Sequence, residues 1–135
     1  MSEQREYQPT IFLLEEDDET RVPLVGNLRR YGYRVITALD EEDALQRVEG
    51  GHVAADLILV NLVGKSEDDL LNVGRRIREH ARYDGNTPLV GMPEKYGKDV
   101  EGTDVKVGDN DWLTYPEDHD QLKNLLARLL NKTSS

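Results

Sequence analysis

The chain contains no cysteine. That excludes disulfides, thiolate metal sites and a cysteine nucleophile. Histidine is nearly as scarce: His52, His80 and His119 are scattered through 135 residues, so a histidine-built metal centre is not expected. No apolar run approaches the roughly 20 residues that span a bilayer, and the opening MSEQREYQP lacks the apolar core of a signal peptide. Cations are outnumbered, 17 Lys and Arg against 27 Asp and Glu, for a formal net charge of −10. Such a charge repels nucleic-acid phosphates and anionic membrane surfaces, so neither is an expected partner. These absences point to a cytoplasmic protein.

The length suits one domain that buries its core without staples. The polar ends, 1–9 and 132–135, read as flexible tails around a single domain at 10–131. Within it, short apolar runs alternate with amphipathic segments. TIFLL (Thr10 to Leu14) is a strand covered on both faces. Val22, Val25, Leu28 and Tyr31 then recur at helical spacing, with Pro23 placed in the first turn and Gly32 as the stop. YRVIT (Tyr33 to Thr37) is a second strand. Asp40 caps a helix carrying Ala44, Leu45 and Val48. LILV (Leu57 to Val60) is the third strand and runs into Asn61. A long helix follows from Glu67 to Arg82, with Leu70, Val73, Ile77 and Ala81 on one face. PLVGM (Pro88 to Met92) and DWLTY (Asp111 to Tyr115) are strands four and five. Leu122, Leu125, Leu126 and Leu129 form the stripe of the last helix, with Asp118 and Gln121 at capping-box spacing. Between strands four and five, PEKYGKDVEGTDVKVG carries Gly97 and Gly102 without an apolar stripe. It predicts a short, weak helix or a loop.

Strands alternating with helices predict an α/β fold, a doubly wound parallel sheet with helices on both faces. In such sheets the working crevice lies beyond the carboxyl ends of the strands. EEDD, Asn61, PEK and Tyr115-Pro116 converge there. In that order, these segments resemble the receiver domain of two-component response regulators, from about Thr10 to Leu130. FLLEEDD looks like the family's first strand and acidic pair. LILVNLVGKSEDDLLNVGRRIRE looks like its third strand and third helix, TPLVGMP like its fourth strand, and GDNDWLTYP like its fifth strand and following proline. The resemblance implies a flavodoxin-like receiver fold with five parallel strands in the order 2-1-3-4-5 and, here, a weak fourth helix.

The resemblance also implies phosphoryl transfer from a histidine kinase to an aspartate. A divalent metal, a lysine and a Thr or Ser hydroxyl surround the transferring oxygens. Asn61 stands where the acceptor belongs, and an amide forms no acyl phosphate. Pro93 stands at the hydroxyl position and Tyr115 at the lysine position. Trp112 takes the aromatic switch position. Glu15 and Glu16 replace the acidic pair, each one methylene longer than aspartate. They are read as a vestigial metal site with residual magnesium binding and otherwise no cofactor. For Glu15 to Glu19, a solvated acidic loop and a working metal site remain alternatives.

The expectation is therefore an inactive receiver that is not an enzyme, in which Asn61 bonds Glu16 or nearby backbone donors. It would serve as a stand-alone, phosphorylation-independent interaction module in signal transduction, with no output domain attached. Its partner would be a histidine kinase, a downstream effector or a second copy. The partner face would carry Trp112, on an edge strand, together with Thr114. Tyr115 is expected to pack on the last helix, and Arg75, Arg76, Arg78 and Arg82 to form a solvated helix face. Two other readings remain: a functional phosphorelay receiver using Asp17 or Asp56 as acceptor, and a flavodoxin-like ligand binder. The second lacks a Gly-x-Gly-x-x-Gly loop, and EEDDE repels phosphate.

Overall fold

The computed structural model describes residues 8–51, 53–83 and 86–130. His52, Asn131, residues 1–7 of the first expected tail and all of the second (132–135) lie outside them. The element order is β1 (Thr10–Glu15), α1 (Asp18–Arg30), β2 (Arg34–Ala38), α2 (Glu41–Glu49), β3 (Leu57–Asn61), α3 (Glu67–His80), β4 (Leu89–Gly91), β5 (Thr103–Lys106), β6 (Asp111–Tyr115) and α4 (His119–Leu130).

Five strands are parallel in the order β2-β1-β3-β4-β6, with β5 antiparallel on the outside of β6. Strand alternation divides the core into two layers. Phe12, Leu14, Ile58, Val60, Leu89 and Leu113 face α2 and α3. Ile11, Leu13, Leu57, Leu59 and Val90 face α1 and α4. β1 and β3 are apolar on both sides because both sides are covered. No helix among the described residues is long and apolar enough to cross a membrane.

The helix starts follow capping chemistry. Asp17, Asp40 and Ser66 each accept a backbone N–H from three residues on, at 2.8, 2.8 and 3.1 Å. Asp118 accepts from Asp120 and Gln121 N–H at the start of α4, and Gln121 reaches back to the Glu117 N–H at 3.0 Å.

Several expectations need correction. Pro23 sits in the second turn of α1, not the first, and forgoes the bond to the Glu19 carbonyl. Val22 is 72% exposed, and the buried side of α1 is Leu28 with Leu24, Val25 and Tyr31 packed beside it. α3 ends at His80, and Arg82 adopts φ 61° beyond it.

The sheet has six strands, not five, and β5 replaces the expected weak helix. Gly102, at φ +89°, turns the chain so that its N–H reaches the Tyr115 carbonyl at 2.7 Å. TDVK then runs as a strand antiparallel to β6, from Thr103 opposite Tyr115 to Lys106 opposite Trp112.

β6 is therefore interior. Trp112 is half-buried against the α1/α4 layer, with the Arg128 guanidinium 5.5 Å from its ring centroid. Thr114 is fully buried and donates to Asp104 Oδ1 of β5 at 2.7 Å. It offers no surface to a partner.

The arginine face is not merely solvated. Arg75 Nε and Arg78 Nη1 both lie 2.8 Å from the carboxylate of Asp111, which is buried at the start of β6. Arg78 also donates to the Thr87 carbonyl at 3.1 Å. Arg76 forks onto Glu41 of α2 at 2.5 and 3.1 Å. A buried carboxylate draws cations that helical periodicity alone assigns to solvent.

α3 packs closest to the sheet at Gly74, where a Cβ would lie 2.1 Å from Leu89 Cδ1. Alanine there gains about 1 kcal/mol of helix propensity. Overpacking against a fully buried leucine outweighs this by about 1–2 kcal/mol. Gly74→Ala should thus lower the urea midpoint with an unchanged slope; a raised midpoint would show that α3 can move off β4.

Candidate functional site at the carboxyl edge of the sheet

Glu15 and Asn61 are the last residues of β1 and β3 and are Cα partners in the parallel register. That register, not their 46-residue separation, puts the two side chains together. Asn61 Nδ2 donates to Glu15 Oε1 at 2.5 Å. Glu15 Oε2 accepts the Asp17 N–H at 3.1 Å, and the Glu15 carbonyl accepts from Arg21 Nη1 at 2.9 Å. Asn61 bonds Glu15 and not Glu16, which is exposed.

Glu15 is 1% exposed, and this burial is the largest of the influences that raise its pKa above the ordinary glutamate value, against the hydrogen bonds from Asp17 and Asn61. Asp17 is shifted down by the Thr20 hydroxyl and backbone donors that make it the cap of α1.

Around this pair lies a crevice of about 280 Å³ lined by Glu15, Thr20, Asn61, Val63, Met92, Pro93, Glu94, Tyr96 and Pro116. All four expected segments do converge on it. Pro93 is buried after β4 and has no hydroxyl or N–H to offer. Glu94 Oε1 accepts the Gly64 N–H at 3.0 Å, so a second carboxylate lies on the loop after β3.

Tyr115, at the end of β6, packs in the α2/α3 layer and not on the last helix. Its hydroxyl donates to Glu67 Oε2 at 2.5 Å. Burial, then the bond and charge of Glu67, push the phenol up to about 12, so it stays neutral at physiological pH. Trp112 lies at the opposite end of β6 from Tyr115 and does not line the crevice.

Tyr96 escaped the sequence reading. It lies edge-on to Tyr115, with centroids 5.3 Å apart and planes at 69°, and its hydroxyl donates to the Pro116 carbonyl at 2.7 Å. Its only sequence signal was an aromatic in a glycine-rich, charged loop. The Tyr115-Pro116 bond is trans, there being no cis peptide among the described residues.

The divalent metal implied by the resemblance is a hard cation best held by ionised carboxylate oxygens. The donors here do not fit it: both Glu15 oxygens already accept protein N–H groups, burial opposes ionisation, and Asn61 adds no charge. No group of three His, Asp or Glu side chains among the described residues is placed to hold a metal ion. Asp56, one suggested acceptor, precedes β3 and accepts the Thr10 N–H at the opposite end of the sheet. Asp17, the other, is committed to Thr20.

The raised pKa of Glu15 has a sign that stability can test. Protonation is favoured in the fold, so this contribution is fully present below the unfolded glutamate pKa and is lost as pH rises through the folded one. Glu15→Gln should gain stability relative to the parent as pH goes from about 4 to about 7. Urea titrations across that range check this, and a difference that is flat or falls would contradict it.

No protein-family model matches the sequence, and no curated protein does. Solved structures match the fold. A response regulator from Thermotoga maritima superposes with a TM-score of 0.65 at 25% identity, covering 93% of this chain and 99% of its own. The chemotaxis protein CheY4 of Vibrio cholerae gives 0.64 at 20%, over 92% and 100%. The receiver domain of a sensor histidine kinase from Pseudomonas aeruginosa, solved with magnesium coordinated in its active-site cleft, gives 0.62 at 23%, over 93% and 99%. With its parallel core in the order β2-β1-β3-β4-β6 and its crevice at the carboxyl edge, this chain has the receiver fold of two-component signalling.

Proposed function

We propose that this domain works in signal transduction as a protein-interaction module that is neither phosphorylated nor catalytic. Its partner would be a histidine kinase or a downstream effector. One observation carries the reading: the residue that ends β3 in the crevice is an amide, and it is held by a buried glutamate at 2.5 Å. An amide oxygen attacking phosphorus yields no stable acyl phosphate, and the nitrogen is already used as a donor. The surroundings agree. Tyr115 supplies no cation for the transferring oxygens, and Pro93 supplies no hydroxyl.

The vestigial pair Glu15 and Glu16 is part of the same proposal. An asparagine at the strand end satisfies the buried glutamate without adding a carboxylate to a site that already holds Glu15 and Glu94. Residual magnesium binding at Glu15 would have to compete with two N–H donors and with the burial that opposes its ionisation. The crevice then acts as a self-satisfied polar plug that holds β1, β3 and the loop after β4 in one arrangement, and that fixed arrangement is what the partner meets.

The deciding experiment is amide NMR of the protein with magnesium, then with beryllofluoride added, alongside intact-mass analysis after incubation with acetyl phosphate. Unchanged resonances for Glu15, Asn61 and Gly64 and no phosphoryl mass increment are expected. Saturable beryllofluoride-dependent shifts or a phosphorylated species would overturn the reading.

Asn61→Asp places a second carboxylate against Glu15. It should lower stability at neutral pH by about 1–3 kcal/mol, with part of the loss recovered on acidification as the pair shares a proton. Alone it should not restore labelling by acetyl phosphate. Combined with Pro93→Thr and Tyr115→Lys it should, and labelling of the single variant would show that neither position limits the chemistry.

A further inference from the structure

The outer side of β5 has no neighbouring strand among the described residues. Such an edge is a template for another strand unless it is blunted. β5 has no proline, and its Val105, with Val107 just beyond its end, are 38% and 39% exposed. Its pairing fixes which backbone groups are available. Val105 faces Leu113 in the antiparallel register, and the Val107 N–H donates to the Asp111 carbonyl at 2.8 Å. The alternation of an antiparallel ladder then turns the N–H and C=O of Asp104 and Lys106 away from β6.

The sequence of this edge is self-complementary. In Thr103-Asp104-Val105-Lys106-Val107, a two-fold axis at Val105 sets Asp104 opposite Lys106 and Thr103 opposite Val107. We propose that β5 pairs antiparallel with β5 of a second copy of this chain about that axis, joining the two sheets into one.

Three observations agree on this single register. First, the residues whose backbone groups point outward, Asp104 and Lys106, are those that become the hydrogen-bonded pairs across the axis. Second, the same two residues bring opposite charges together on one face. Third, Val105 meets its own copy in a non-hydrogen-bonded pair, where side chains approach most closely and a β-branched residue packs well. A shift by one residue to either side breaks the charge match and turns inward-facing backbone groups to the interface.

Asp104 is pre-ordered for this role. Its Oδ1 is held by Thr114 Oγ1 at 2.7 Å and Gln121 Nε2 at 2.9 Å, while Oδ2 meets Arg128 at 3.5 Å. Lys106 is exposed and can swing to an opposing carboxylate. The pairing is separate from the crevice and stands whether or not the domain is phosphorylated.

The absence of cysteine from the chain makes the test direct. Sedimentation velocity on the full chain should show a reversible, concentration-dependent dimer. Lys106→Glu, a surface change, sets like charges opposite each other twice and should weaken dimerisation about tenfold or more. Val105→Cys should form a disulfide dimer readily under mild oxidation, because a non-hydrogen-bonded pair holds Cβ atoms near disulfide spacing. Val107→Cys should not, since it faces Thr103 and lies remote from its own copy. A monomer at every accessible concentration, a dimer indifferent to Lys106→Glu, or Val105→Cys oxidising no faster than Val107→Cys would each overturn the proposal. Circular dichroism of each variant confirms that the readout concerns association and not folding.

Discussion

The in-register pairing of β1 with β3, from Ile11 opposite Leu57 to Glu15 opposite Asn61, is what the remaining structure depends on. Both strands are apolar on both faces. They can be stable only between two layers of helices, and parallel pairing forces the connections between parallel strands to cross over those faces. One consequence is that each of the five parallel strands delivers its last residue to the same edge. The polar residues ending β1 and β3, with the loops after β4 and β6, therefore meet without any local sequence signal that they should.

At that edge the electrostatic problem is a buried glutamate. Its burial raises the cost of its charge, and the N–H groups of Asn61 and Asp17 offset part of that cost. An aspartate at 61 would have made the problem worse, while a metal would have solved it differently. This chain answers with an amide. Tyr115 repeats the theme a strand away: a neutral phenol donates to Glu67 where a cation would have altered the charge of the whole crevice. The two contacts are coherent, because each meets a carboxylate with a neutral donor.

The opposite flank of the sheet shows how one short strand changes the surface of a fold. β5 covers Thr114, turns β6 into an interior strand, and holds Asp104 against Thr114 and Gln121. The face expected to meet partners through Trp112 and Thr114 is thereby largely occupied by the protein itself. The new edge is short and polar but carries exposed Val105, with Val107 just beyond it, and has no neighbouring strand among the described residues, which gives this flank a different character from a helix-covered one.

Much of the fold was legible in the residues themselves. Continuous apolar runs of four or five residues marked β1 and β3, the spacing of Leu70, Val73, Ile77 and Ala81 marked α3, and Asp40 marked the start of α2. These are local properties, since burial on two faces or one stripe is written into a few consecutive positions. The convergence of four segments at the carboxyl edge followed from parallel topology alone. What the sequence could not determine was which polar group meets which. Glu15 rather than Glu16 receives Asn61, because Glu15 is the buried last residue of β1 opposite Asn61 and Glu16 lies exposed beyond the strand. Arg75 and Arg78 reach Asp111, and Tyr96 packs edge-on to Tyr115, because each partner lies across a packing contact from a distant segment. TDVK is a strand only because β6 stands beside it with an open edge. Hydrophobic period is a property of the chain. The pairing of charges and the fate of an edge belong to the assembled sheet, where register and burial decide the dielectric and the neighbours of every polar atom.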